Sequence, residues 1–440
     1  MDLSGIPCAE LRFDKDGIVV SPDEHSAVLA LAARPEITDL IVLSHGWNND
    51  MDEARALYRA LAAQLAGPGS VGLGIVGVLW PSKRFDDAEL IPGGAAALAA
   101  GPSIAELHAE LAAFGVLLDD EAAAEGLAAA ASALPAIDTA ASARRAFVDG
   151  VRSALHASTG LTAGNEEAPA AMVTADGAEL LDRLARPATL IHPAHPSFGG
   201  GGATSLGTPH RPTGGAAGLD IFGGIRNAAR NLLNFTTYYT MKERAGTIGF
   251  HGLAPVLTAV HAQRTELRLH LVGHSFGGRL VSAAATGGAG DPALPLSSMV
   301  LLQAAFSHFG FAENWDPGKD GLFRGCLSGH RVDGPTIATH TANDRAVGIA
   351  YALASRIAGQ IAAAVGDASD VYGGIGRNGA LRTPEAVAGE LLDFDRAYSF
   401  RPGAVHNLLA DHFIHSHSDI TGPQVGHLLR SVVSTGVAVS

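Results

Sequence analysis

Two stretches of the 440-residue chain concentrate side chains capable of chemistry. The first is LHLVGHSFGGRL, in which Gly273, Ser275 and Gly277 form a G-x-S-x-G pattern. A serine hydroxyl is a poor nucleophile at neutral pH unless a base takes its proton. A sharp strand-to-helix turn holds its oxygen clear of the backbone, and flanking glycines remove the Cβ atoms that would clash there. A helix starting at that turn also favours developing negative charge. In a chain with 54 glycines the pattern alone is weak. Its place between an apolar, strand-like run and a helical pattern gives it specificity. The second stretch is HFIHSHSDI, which holds His412, His415, His417 and Asp419. Histidine at that density suits metal ligation or proton transfer.

The metal reading rests on His415-Ser-His417-Ser-Asp419, which superficially resembles the H-x-H-x-D core of metallo-β-lactamase-type sites. Such sites need further ligands from later in the chain, and here His427, inside a helical pattern, is the sole later histidine. No metal site is expected, since ligand count and geometry decide such sites. Proton transfer fits better. The strand in VHNLLADHF is expected to end near His412 or Phe413, a loop follows, and a last helix opens just past Thr421. His417 lies in that loop. His415 is its competitor, because a two-residue change in loop placement exchanges them. His412 is assigned to the strand end.

The GHSFG turn, taken with SHGW at Ser44 to Trp47, resembles the α/β-hydrolase superfamily, specifically its serine esterase and lipase-like members. The likeness covers the chain on both sides of residues 86–225 and nothing inside that block. It implies an α/β-hydrolase fold, a mostly parallel central sheet flanked by helices, and the chain order nucleophile, acid, histidine. Carried onto this sequence, Ser275 is the nucleophile and Asp344, in TIATHTANDRAVG, is the acid after a strand. His417 is the base, its HSDI context looking like the histidine loop of bacterial esterase-like hydrolases. The backbone amides of Trp47 and Phe276 become the oxyanion donors, and Gly46 lets the backbone approach the substrate. Asp333 precedes its strand, and Asp316 and Asp320 lie in the polar loop NWDPGKDG. The plainer role for Asp344 is to cap the helix that follows. The expected reaction is cleavage of carboxylic esters through an acyl-enzyme, with no cofactor and no metal. An acyltransferase, thioesterase or amidase would use the same residues, and a non-catalytic ligand-binding protein could share the fold.

The elements that must position these groups are legible as patterns. ELRFDKDGIVV reads as a hairpin turning at Asp16-Gly17. DLIVLS and VGLGIVGVLW are continuous apolar runs suited to buried parallel strands, with the helix MDEARALYRALAAQLAG between them behind a capping box at Asp50 and Glu53. That order predicts a doubly wound α/β sheet. From about Asp86 to about Pro196 the sequence becomes alanine- and leucine-rich with helical periodicity, and the glycine-rich FGGGGATSLGTPHRPTGGAAG closes the block. The expected division is an α/β core over 1–85, a helical cap over 86–225 and the rest of the core over 226–440. The core resumes with a helix from about Asn234 to Gln263. The strands LRLHLVG, SSMVLLQAA, GPTIATHT and VHNLLADHF follow in turn, and a second capping box at Thr421 and Gln424 opens the last helix. The cap leaves the sheet after VGVLWP and is expected to cover Ser275. Its composition favours a small-molecule ester with an apolar group.

Composition excludes other classes. The formal charge is −14 with no basic cluster, which argues against nucleic acid and anionic membrane surfaces. The apolar run AVGIAYALASRIAGQIAAAVG is interrupted by Arg356 and Gln360 and reads as a buried amphipathic helix, so no integral membrane segment is expected. The first twenty residues lack a basic region followed by an apolar one, so a cytoplasmic location is expected. Cys8 and Cys326 are the only cysteines and form no disulfide framework.

Overall fold

In the computed structural model, which describes residues 2–47, 49–67, 70–82, 101–159, 168–186, 188–190, 219–221, 224–288, 294–359 and 370–435, the apolar runs become neighbouring strands of one sheet. Its strands are β1 (Asp2–Leu3), β2 (Ile6–Arg12), β3 (Asp39–Ser44), β4 (Leu73–Leu79), β5 (Arg268–His274), β6 (Ser298–Leu302), β7 (Thr336–His340), β8 (Ala386–Glu390) and β9 (Val405–Leu409). Their spatial order is β1-β2-β4-β3-β5-β6-β7-β9-β8, and every pair is parallel except β1 with β2. The architecture is α/β, with a mostly parallel nine-stranded sheet flanked by helices.

Successive side chains of a strand face opposite ways, so runs without polar interruption need helices on both faces. Leu40 and Val42 of β3 enter one core, and Ile41 and Leu43 enter the other. The second core is closed by α2 (Met51–Leu65) and by the last helix, Pro423–Thr435, through Tyr58, Leu61, Leu428 and Leu429. The first is closed by α1 (Pro22–Ala32) and by the helices Ile225–Thr247, Ala254–Gln263 and Phe276–Thr286.

Among its described residues the block after β4 is mostly helical, with α3 (Ile104–Leu118), α4 (Ala124–Ala133), α5 (Ala141–Thr159) and α6 (Gly177–Leu184). The all-helical expectation is corrected by an antiparallel pair of short strands, Ala188–Leu190 with Leu219–Ile221. Leu111, Phe114, Phe147, Val151 and Leu181 continue the first core and meet Leu232 and Leu233 of α7 (Ile225–Thr247). Glycine lets α4 and α5 approach closely: a Cβ on Gly126 would lie 2.6 Å from the carbonyl oxygen of Gly150, and the reverse also holds. No helix among the described residues is long and apolar enough to cross a membrane.

Several local expectations are corrected. The chain does turn at Gly17 (φ +85°), but only Phe13 bridges Val19, so the hairpin has no second strand. The helix expected from Asn234 begins nine residues earlier, at Ile225, after Gly224 at φ +110°. It runs through a π-helical turn, Ile248–Leu253, into α8 (Ala254–Gln263). Pro255, which cannot donate a helical hydrogen bond, sits just beyond that wider turn. The second capping box is not made. The last helix opens at Pro423 with the Val425 amide donating to Gly422, while Gln424 reaches Asp393. Because β9 ends at Leu409, His412 lies beyond the strand in a turn. Residue 86 and the glycine-rich segment lie outside the described residues.

Candidate functional site

The register of the sheet brings the chemistry together. Ser44 pairs with Gly273, His274 with Leu302 and His340 with Leu409, so the carboxyl ends of β3, β5, β6, β7 and β9 are level. The loops leaving those ends carry the residues singled out by type and spacing. Ligand sites in open parallel sheets lie at this edge.

Ser275 follows β5 directly and precedes α9 (Phe276–Thr286) directly. Its backbone stands at φ 56°, ψ −123°, outside the regions open to most side chains at no cost. Such a conformation costs about 1–3 kcal/mol and persists only when its surroundings enforce it. The surroundings here are close backbone contacts. A Cβ on Gly273 would fall 2.3 Å from the Gly277 carbonyl oxygen, and one on Gly277 would fall 2.2 Å from that of Ser44. The Ser275 amide donates to Leu302, and its carbonyl accepts from Gly278 and Ala305.

His417 and Asp344 complete a chain of hydrogen bonds. His417 Nε2 lies 2.8 Å from Ser275 Oγ, and His417 Nδ1 lies 2.8 Å from Asp344 Oδ2. A carboxylate only accepts, so Nδ1 carries the proton and Nε2 presents its lone pair to the serine hydroxyl. Asp344 is fully buried at the N-cap of α10 (Arg345–Ile357), where its side chain also accepts from the Val347 amide at 3.0 Å. The capping role and the contact with the imidazole thus fall on different oxygens of one carboxylate. Burial disfavours the charged imidazole of His417, but the Asp344 charge and hydrogen bond outweigh it and raise its pKa.

The segment HFIHSHSDI is a braced loop. Ile414 and Ile420 are buried anchors, and the Asp419 carboxylate accepts the His415 amide at 3.0 Å. Between the anchors His415 is exposed and His417 points inward, which separates the two competitors. Asp419 therefore braces the loop and contacts neither Ser275 nor His417. Thr341 Oγ1 and the Ala342 amide donate to Asp411, and Asn343 donates to the carbonyls of Asp411 and Ile414. These bonds tie the Asp344 loop to the His417 loop.

The loop after β3 closes on the serine from the other side. A Cβ on Gly46 would lie 2.6 Å from Ser275 Cβ, so only glycine permits this approach. His45, fully buried, accepts the Trp80 amide at Nε2 and contacts the Gly46 carbonyl through Nδ1 at 2.9 Å, and Trp80 Nε1 donates back to the His45 carbonyl. Burial lowers its pKa to about 4, so His45 is neutral and fixes the loop to the end of β4. The Trp47 and Phe276 amides donate to no other described residue, and their rings stack 5.8 Å apart. Tyr238 of α7 lies against both rings, 5.9 Å from Trp47 and 4.8 Å from Phe276.

Some contributors were not singled out from sequence. Gln303, buried at φ 45° just after β6, donates to Gly376 and reaches Asp344 Oδ2 at 3.5 Å. Its signal was a polar residue directly behind an apolar strand. Arg377 donates to the carbonyls of Ala342 and Asp344, with no motif to mark it. Asp333, Asp316 and Asp320 make no contact with Ser275 or His417.

A second Ser–His–Asp chain offers a control. His270 meets Ser298 Oγ at 2.8 Å through Nδ1 and Asp39 at 3.0 Å through Nε2, at the opposite end of the strands. Ser298 is wholly buried at the start of β6 and has no left-handed backbone. Burial raises the Asp39 pKa, but bonds from His270 and from Arg268 (2.6 and 2.5 Å) hold it down at about 2. With its serine sealed off and its carboxylate saturated, this chain is packing. The same three residue types at Ser275 meet a turn, a helix N-terminus and two amides that have no acceptor among the described residues.

Comparison with protein-family models, with curated proteins and with solved structures finds no match for this chain.

Proposed function

We propose that the chain is a serine hydrolase of the α/β-hydrolase fold that cleaves carboxylic esters. The observation that carries the proposal is the pair of 2.8 Å contacts from His417 to Ser275 Oγ and to buried Asp344. His417 Nε2 takes the hydroxyl proton as Ser275 Oγ attacks the ester carbonyl, then returns it to the departing alkoxide. Asp344 holds the imidazole tautomer and offsets the imidazolium charge. The Trp47 and Phe276 amides receive the oxyanion, and water repeats the sequence on the acyl-enzyme. No step calls for a metal or cofactor.

The helices after β4 serve as the cap of this enzyme. These helices pack on α7, a core helix that carries Tyr238 onto the Trp47–Phe276 stack beside the serine. An apolar wall of that kind suits an ester with an apolar group. A fluorophosphonate probe should label Ser275, and Ser275→Ala should abolish both labelling and p-nitrophenyl ester turnover. Retained turnover in that variant would end the proposal. The same assay, run over acyl-chain lengths and with thioesters and amides, sets the acyl class. Equal rates across chain lengths would remove the apolar wall as a specificity element.

A further inference from the structure

We infer that His274, the residue before the nucleophile, is a positioning residue that fixes His417 against Ser275; this rests on the hydrolase reading above. Its imidazole is wedged between the two loops that meet at the serine. Nε2 lies 2.9 Å from the His417 carbonyl oxygen, and the two rings sit 5.0 Å apart. On its other side, a Cβ on Gly46 would lie 3.2 Å from His274 Nδ1. A carbonyl only accepts, so Nε2 carries the proton and donates. Burial, aided by the neighbouring His417, lowers the His274 pKa to about 3, which keeps the ring neutral at working pH. The His417 side chain gets its direction from Asp344, and its backbone gets its height above Ser275 from His274. One end of β5 therefore supplies both the nucleophile and the strut that sets the distance of its base.

The two side-chain amides separate this role from simple packing. Glutamine places its amide nitrogen close to the position of Nε2, whereas asparagine places it close to Nδ1, out of reach of the His417 carbonyl. His274→Asn should lower kcat about 10- to 100-fold with KM changed less than about two-fold, since misplacing a reacting group by about 1 Å costs that much. His274→Gln should recover kcat to within about three-fold of wild type. Fluorophosphonate labelling rates should fall in the same ratio as kcat. Equal kcat in the Asn and Gln variants, or a loss confined to KM, would overturn the inference. If Asn fails to fold, Gln against His274→Met, which reaches equally far without a donor, makes the same comparison. Wild-type protein that the probe does not label would instead refute the hydrolase reading itself.

Discussion

Replacing Asp344 by asparagine tests the proposed relay at its most buried point. The side chain is fully buried, and its two oxygens have different partners, Val347 N–H at 3.0 Å and His417 Nδ1 at 2.8 Å. In Asp344→Asn the amide oxygen stays on the Val347 N–H, because the amide nitrogen there would face another donor. The nitrogen must then face His417 Nδ1 and donate to it. That bond drives the imidazole proton onto Nε2, where it points at Ser275 Oγ and removes the acceptor the serine needs. Gln303 Nε2, 3.5 Å from the same position, adds a second donor against the new one. A base held in the wrong tautomer costs about 10⁴ in kcat, or about 5 kcal/mol at 1.36 kcal/mol per decade. The pH profile should move as well. Asp344 raises the His417 pKa, and the base works only when deprotonated. Removing the carboxylate charge should therefore shift the acid limb of kcat/KM to lower pH. The assay is p-nitrophenyl butyrate hydrolysis from about pH 5 to 9, an interval spanning the ordinary imidazole range. A loss smaller than about ten-fold, or an acid limb that does not move, would refute the assignment.

His417→Ala should lose about 10⁴ in kcat and all fluorophosphonate labelling, while exposed His415→Ala stays within about two-fold of wild type; parallel assay of the two variants decides between them. Gly46→Ala would put a methyl group 2.6 Å from Ser275 Cβ and 3.2 Å from its Oγ. It should cut kcat at least about ten-fold by displacing the nucleophile or the loop, and wild-type kcat in a folded variant would show that the loop yields freely.

The α/β class and the meeting of Ser275, His417 and Asp344 in one candidate site were legible where chemistry and periodicity agreed. β3, β4 and β6 were readable because burial on both faces leaves no polar residue between their ends. The Ser275 turn was readable because a Cβ at Gly273 or Gly277 would fall 2.3 or 2.2 Å from a carbonyl oxygen, which forces glycine there. His417 was separated from His415 only by the anchoring of Ile414 and Ile420, a matter of packing that spacing cannot express. β8 escaped notice because it is an edge strand with little burial, so AVAGE has no reason to read as apolar. The start of α7 was hidden by a glycine N-cap that offers no side-chain signal. The polar clamps Gln303, Arg377 and Asp411 act through backbone carbonyls and amides, and such partners leave no trace in residue type.

The position of β3 has a consequence for how the chain must fold. This strand pairs with β4 on one side and with β5 on the other, and the whole helical block lies between those two partners in sequence. Asp39 and Arg268 are 229 residues apart, whereas Asp39 and Leu73 are separated by roughly thirty. Closing the longer loop with an unstructured chain costs about 2 kcal/mol more in entropy, since the penalty grows as (3/2)RT ln n. Helices that pack locally, as α4 does on α5 through Gly126 and Gly150, shorten the effective tether before the sheet is joined. The block between β4 and β5, read above as a cap, would then also bring the two halves of the sheet within reach of each other.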